Sequence, residues 1–315
     1  MWIIGGANID ILGTANTELI EGDSNPGKIE LRYGGVARNI AQKIALLGGE
    51  PIFITCFGSD HYGSLLKEDC QKLGMDISYS VEISEEEDPE HRYGTSFYLA
   101  LMNHDHDMKI AMNDMEIMDR LDKDALSRAI KEMKEEDFLI LDANLKEEMI
   151  SYILDHAPCH VTVDPVSIAK IGKLKNHLEK IDIFKPNRIE AQHLSGMEIK
   201  DEETGKKVVR WFHNQGIKEI IITMADKGVL LGTEEKIIKL THRPILMDNA
   251  TGGGDSFLGA YTLRRSENHT PEEAVKFAIT AAVMNIEADH QGRRRITEET
   301  ILENINSMNI EEKEL

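Results

Sequence analysis

From residue 122 onward the chain repeats one pattern, a short apolar run followed by an amphipathic stretch and then another apolar run. Strands are expected at residues 138–141, 160–163, 181–184 and 219–224, with helices such as 124–135 and 201–214 between them. Alternation of this kind predicts an α/β fold built on a mainly parallel sheet covered by helices. In that architecture ligands sit beyond the carboxyl ends of the strands. The polar residues that follow each apolar run are therefore the first place to look for function.

Two of those strand ends carry candidate chemistry. Lys185-Pro186-Asn187-Arg188-Ile189-Glu190 sets Asn187 and Glu190 three apart at a helix start, the spacing of a capping box. Such a capped end can also hold the hydration shell of a metal bound to phosphates. Thr223-Met224-Ala225-Asp226-Lys227-Gly228 is a turn after a strand, with residues 229–232 returning as a hairpin.

The N-terminal half is less regular. Residues 1–12 form an apolar run broken by Gly5 and Gly6, expected as one buried central strand with Asn8 and Asp10 on the same face. Two polar groups there need partners, which a ligand with vicinal hydroxyls or a loop at the strand end would supply. Gly34-Gly35-Val36-Ala37-Arg38-Asn39 is a glycine turn entering a helix that Gly48 ends, with Asn39 about one turn in. Short strands at 51–56 and 77–81 and a helix over 63–73 are expected next. Residues 95–102 and 109–112 read as a hairpin around His104-Asp105-His106-Asp107, an exposed turn rather than a metal site. Glu85-Glu86-Glu87-Asp88 reads as a solvated loop, Arg293-Arg294-Arg295 as surface, and the final E-E-K-E-L as a frayed tail.

The sharpest chemistry lies in residues 249–260, N-A-T-G-G-G-D-S-F-L-G-A. Without Cβ atoms, the amides of Gly252, Gly253 and Gly254 can converge on one anion from close range. The first turn of the following helix adds its unpaired donors and positive dipole end. Asp255 comes next and is expected to be ionised at neutral pH, stabilised by the same donors. It could accept a proton from a substrate hydroxyl next to a reacting phosphate. The segment taken alone reads equally well as a tight turn and a helix cap.

Charge and composition remove some classes. A formal net charge of -20 opposes binding to a nucleic-acid backbone, which demands a positive surface. A nucleotide ligand stays compatible if metal ions and backbone amides supply the local positive field. No apolar run approaches the roughly 20 residues of a membrane span. Met1 leads straight into W-I-I-G-G, so a cytoplasmic protein is expected. Cys56, Cys70 and Cys159 are scattered and expected to be reduced, buried thiols.

Taken in order, G-G-A-N-I-D from Gly5, G-G-V-A-R-N from Gly34, N-R-I-E from Asn187 and N-A-T-G-G-G-D from Asn249 resemble the ribokinase-like (PfkB) sugar and nucleoside kinases across the whole chain. Within that family the sequence is most similar to the pseudouridine kinases, on Gly5 to Asp10, Gly34 to Ile40, Val163-Asp164-Pro165-Val166-Ser167 with Ala169-Lys170, and Asn249. The resemblance implies one doubly wound α/β kinase domain over residues 1–315, with a small β lid from about 12–34 and 91–113 that pairs in a homodimer. It implies Asp255 as catalytic base beside the Gly252, Gly253 and Gly254 amides. Asn8, Asp10, Gly34, Gly35 and Asn39 would bind the acceptor, while Asn187, Thr223 and Gly228 would bind the nucleotide. Glu190, with Asn187, would meet a magnesium ion through water. ATP and Mg²⁺ are the implied cofactors, with K⁺ beside the glycine turn. The acceptor would be a small-molecule nucleoside or sugar, with no nucleic acid and no membrane as partner. Four positions depart from the family pattern: Ala250 stands for threonine or serine, Gly253 for alanine, and Met224-Ala225 for leucine-glycine. The expected activity is ATP-dependent phosphorylation of the pseudouridine 5′-hydroxyl. Another ribonucleoside or a free sugar is the rival acceptor, and a nucleotide-binding sensor is the rival outside enzymes.

Overall fold

A computed structural model describes residues 1–84, 86, 88, 93–105, 107–245, 252–288 and 290–315, and among these the apolar runs align as one nine-stranded sheet. In chain order the strands are β1 (Trp2–Ile4), β2 (Asn8–Ala15), β3 (Gly27–Gly34), β4 (Ile52–Ile54), β5 (Cys56–Gly58), β6 (Val81–Ile83), β7 (Phe97–Met102), β8 (Met108–Asp114), β9 (Phe138–Asp142), β10 (His160–Asp164), β11 (Ile183–Phe184), β12 (Glu219–Thr223), β13 (Val229–Gly232), β14 (Ile237–Thr241) and β15 (Glu311–Glu314). The large sheet runs β15-β14-β13-β12-β11-β10-β9-β1-β4. From β12 to β4 neighbouring strands are parallel, and β13, β14 and β15 extend the sheet antiparallel.

The parallel strands are mainly apolar because successive side chains enter different cores. Leu139 and Leu141 of β9 pack on one face with Leu126, Ile150 and Phe212 from the helices Lys123–Glu132, Glu147–His156 and Glu202–Asn214. Ile140, between them, packs on the other face with Ile40, Leu258 and Ala278 from the helices Val36–Leu46, Gly253–Ser266 and Pro271–Glu287. The sheet is thus doubly wound. No helix among the described residues is long and apolar enough to cross a membrane.

Four local expectations are corrected. Residues 1–12 are two strands rather than one: β1 joins the large sheet, while β2 starts at Asn8 and belongs to a four-stranded sheet ordered β3-β2-β7-β8. The break falls at the glycines, where Gly5 N donates to the Ile54 carbonyl at 3.1 Å and the Gly6 amide is claimed by a side chain. Residues 51–56 divide in the same way, since β4 pairs with β1 and β5 pairs with β6. The second of the short strands lies at Val81–Ile83, later than 77–81. The C-terminal residues are strand β15, paired with β14 from Ile238↔Glu314 to Thr241↔Glu311. An open sheet edge offers backbone donors and acceptors to any extended segment, and Lys313 adds an ion pair to Glu202 at 2.6 Å.

The side chain that claims Gly6 is Asp142, at the end of β9 and without solvent exposure. Its Oδ2 accepts from Gly6 N at 3.0 Å, Ala37 N at 3.1 Å and Asn144 Nδ2 at 2.7 Å, and its Oδ1 from Asn144 N at 2.9 Å. Burial pushes this carboxyl above the ordinary range, and the hydrogen bonds pull it back. The carboxylate ties the turn after β1 to the start of the Val36–Leu46 helix. Gly35, just before that helix, has φ 99°, and a Cβ there would overlap the Gly6 carbonyl, so only glycine fits. Asp142→Ala should leave buried amide protons unpaired and cost roughly 3–5 kcal/mol. A lowered urea midpoint with unchanged slope is the expected measurement.

Candidate active site

At the carboxyl edge of the parallel strands, polar side chains stand in a row. Asp142 ends β9, Asp164 ends β10 as its register partner, Lys185 follows β11, and Thr223 ends β12. Asp164 and Lys185 are both buried and form an ion pair at 3.1 Å. Burial alone would lower the Lys185 pKa, but the adjacent Asp164 carboxylate outweighs it and holds the lysine above its ordinary value. Lys185 Nζ lies 3.5 Å from the place a Cβ on Gly254 would take. A firm positive charge therefore stands beside the glycine turn.

That turn is built as the composition requires. Gly252 is left-handed at φ 81° and is the N-cap of the Gly253–Ser266 helix, which has no side-chain cap. The first amides of the helix are left for an anion. Asn285 Nδ2 donates to the Gly252 carbonyl at 3.2 Å, and Arg293 Nε donates to the Asn285 carbonyl at 2.9 Å. Arg293 and Arg294, read as surface, are instead half-buried; Arg294 reaches Asp69 Oδ1 at 2.9 Å. Asn249 and Ala250, which open the motif, lie outside the described residues, as do Glu85, Glu87 and His106.

Asp255 lines a cavity of about 590 Å³ together with Gly253, Gly254, Asp164, Lys185, Asn187, Glu190, Thr223 and Gly228. Val229, Phe257, Ala282, Val283 and Ile286 give the same cavity an apolar wall. The expectation of an ordinary ionised carboxylate is corrected here. Enclosure in protein and the nearby Asp164 charge push the Asp255 pKa up to about 7, against the pull of Asn39 and Lys185. Among the described residues its side-chain hydrogen bond comes from Asn39 Nδ2, at 2.9 Å to Oδ2, rather than from the glycine amides.

Asn39 connects Asp255 to the other expected residues. It sits in the Val36–Leu46 helix just after Gly34 and Gly35, and Gly34 pairs with Asn8 at the root of the small sheet. Asn8 donates to Asp10, whose carboxylate packs so closely on Gly34 that no Cβ fits there. Burial raises the Asp10 pKa, with Asn8, Arg38 and Arg32 opposing. On the cavity side Asn187 Oδ1 accepts from Ile189 N at 2.9 Å and Glu190 N at 3.0 Å, and Asn187 N donates to Glu190 Oε2 at 2.8 Å. The expected capping box is therefore present, inside the cavity wall. Glu190 is buried, and its pKa is raised by that burial.

Asp164, Lys185 and Arg38 carry much of this geometry, although none was singled out as a site residue. Asp164 and Lys185 could have been found as charged groups immediately after apolar strands, V-T-V-D and I-F-K. Two non-glycine residues of the cavity wall are left-handed, Val166 at φ 65° and Ala225 at φ 51°. Such conformations are strained and concentrate at functional sites.

A polar row at the strand ends, an uncapped glycine turn and a carboxyl between them make a phosphoryl-transfer geometry. Residues 2–293 match the family described as pfkB family carbohydrate kinase. The chain belongs to that family. Pseudouridine kinase of Escherichia coli (strain K12) is 33% identical over 293 residues, covering 91% of this chain and 90% of that protein. Thermotoga maritima ribokinase superposes with a TM-score of 0.81 at 24% identity, over 97% of this chain and 98% of its own. Arabidopsis thaliana ribokinase, solved with ribose and ATP, gives 0.80 at 20% identity over 96% and 97%. The fold is ribokinase-like. As a pfkB family carbohydrate kinase the protein is a phosphotransferase with an alcohol acceptor, acting on a small sugar or nucleoside.

The elevated Asp255 pKa makes a stability prediction. The folded state holds this proton up to about pH 7, whereas an unperturbed aspartate loses it near 3.8. Ionising Asp255 therefore costs stability: nothing below about pH 4, increasingly between, and fully above about 7. Asp255→Asn should stabilise the pfkB chain on the order of 1–4 kcal/mol at pH 8 and lose that advantage toward pH 4, as read by denaturant melts across pH.

Proposed function

We propose that the protein transfers the γ-phosphoryl group of ATP to the 5′-hydroxyl of pseudouridine, giving pseudouridine 5′-phosphate in the cytoplasm. The observation that carries the reading is Asp255, which lines the cavity with the bare glycine amides and bonds to Asn39 from the Asn8–Asp10–Gly34 cluster. The choice of pseudouridine rests on the similarity to the Escherichia coli enzyme.

Each residue then has a task. The Asn8 and Asp10 side chains, Asn39 and the Gly34–Gly35 backbone orient the ribose so that its 5′-hydroxyl meets Asp255. Asp255 accepts the hydroxyl proton, and a carboxyl pKa near 7 lets it take and release that proton near neutrality. The amides from Gly252 to Gly254 stabilise the charge on the moving phosphoryl group, aided by Lys185. Asn187, Thr223 and Gly228 hold the nucleotide.

The donors suit magnesium only in part. No cluster of three metal-binding side chains occurs among the described residues, so the ion would come coordinated mainly by nucleotide phosphates and water, with Glu190 and Asn187 at its hydration shell. When bound it neutralises phosphate charge. A potassium ion beside the turn fits less well, because Arg293 already stands close to Gly252 and burial together with Arg293 lowers Lys43 to about 8.

The small sheet β3-β2-β7-β8 is the proposed lid. It would close over the sugar and keep water from the phosphate. Register places Ile29, Leu31, Leu99, Leu101, Ile110 and Met112 on one face, all exposed. An apolar face of this extent supports a homodimer through the lid. Ile110→Asp with Met112→Asp should give a monomer by light scattering.

With ATP, a panel of pseudouridine, uridine, adenosine, inosine and ribose should show ADP release fastest with pseudouridine; a preference for any other member overturns the acceptor. Asp255→Asn should cut turnover far more than tenfold, and a smaller loss removes the base. In the parent protein kcat/KM should climb with pH through about 7 and then level.

A further inference from the structure

We infer that Arg38 is a positioning residue: it fixes which end of the Asn39 side-chain amide faces Asp255, and Asp69 holds it in place for that task. The inference rests on Asp255 being the base.

Arg38 is 2% exposed, and its guanidinium meets three partners. One terminal nitrogen is paired with Asp69 Oδ2. The other donates to the Tyr33 carbonyl at 3.3 Å and to Asn39 Oδ1 at 3.2 Å. Asp69 is braced in turn by Arg294 on its second oxygen, at 2.9 Å. Arg38 Nε is buried without an acceptor among the described residues.

The chemistry follows from what each group can do. A primary amide has one end that accepts and one that donates, and the two have nearly the same shape. Facing a carboxyl, Asn39 could turn either end toward it. The oxygen would favour a protonated Asp255, and the NH₂ favours the anion that a base must be. A guanidinium has only donors and does not lose its charge. By occupying Oδ1, Arg38 leaves Nδ2 for Asp255, where it is found at 2.9 Å. The other groups acting on Asp255 are Asp164, Asp142 and Lys185, none of which touches Arg38 among the described hydrogen bonds and ion pairs. Asn39 is the side chain through which Arg38 reaches the base.

The test is the pH profile of kcat/KM for the full-length protein. Arg38→Met frees the Asn39 amide to turn, so the acid limb should move to higher pH by about one to two units, the worth of one hydrogen bond to the charged form. Above the shifted limb, where Asp255 is ionised in either protein, most of the parent rate should return. Since Arg38→Met leaves Asp69 with only Arg294, the double variant Arg38→Met/Asp69→Asn is measured beside it, with melting temperatures for both. A limb that stays at the parent position in a folded variant overturns the inference. Asp255→Asn in the parent separates the two readings. If it abolishes turnover while the limb stays put, only the role of Arg38 fails; if it retains turnover, the base itself is wrong.

Discussion

Four hydrogen bonds converge on the Asp142 carboxylate, from the turn after β1, the start of the Val36–Leu46 helix and its own following loop. The β2–β3 hairpin, with Asn8 opposite Gly34, already brings the turn and the helix start side by side, and the carboxylate locks them to the end of β9. The helix start fixes where Gly35 crosses Gly6, and hence where Asn39 emerges one turn later. The same turn sends the chain out into β2, so Asn8 and Asp10 are placed by it as well. The proposed acceptor side of the site thus depends on one buried acid at the end of a sheet strand.

The cavity side works by a different balance. Asp164, Glu190 and Asp255 share one cavity with Lys185, and the first of these is already paired with the lysine. Burial, and after it the Asp164 charge, penalises an anion at Asp255, which is why Asp255 keeps its proton to near neutrality. A phosphate chain entering there would meet Lys185, a cation already paired with Asp164, in a protein of net charge -20. Backbone donors at the helix start would add attraction without a further side-chain charge that needs a partner.

The parts legible in sequence are those whose signal is local. β9 and β10 announced themselves because consecutive residues such as Leu139 and Ile140 are both apolar, as burial on two faces demands. Asn187 and Glu190 were readable as a cap because their spacing is set within one helical turn. The division of residues 1–12 was not readable, because it depends on Ile54 and Asp142, both remote in sequence. Nor was the protonation of Asp255, which Asp164 helps to set from a different strand end. Arg294 looked like surface because its partner, Asp69, lies in a helix near the other end of the chain.

β15 is made of Glu311, Glu312, Lys313 and Glu314, every one of them exposed. Backbone pairing rather than hydrophobic pattern holds it on β14, and its carboxylates become the outermost margin of the sheet. A margin of that kind repels its own copy, so the protein can carry a nine-stranded sheet with an open flank and still resist stacking into fibrils. In this chain the last few residues act as a guard against self-propagation as well as a closure.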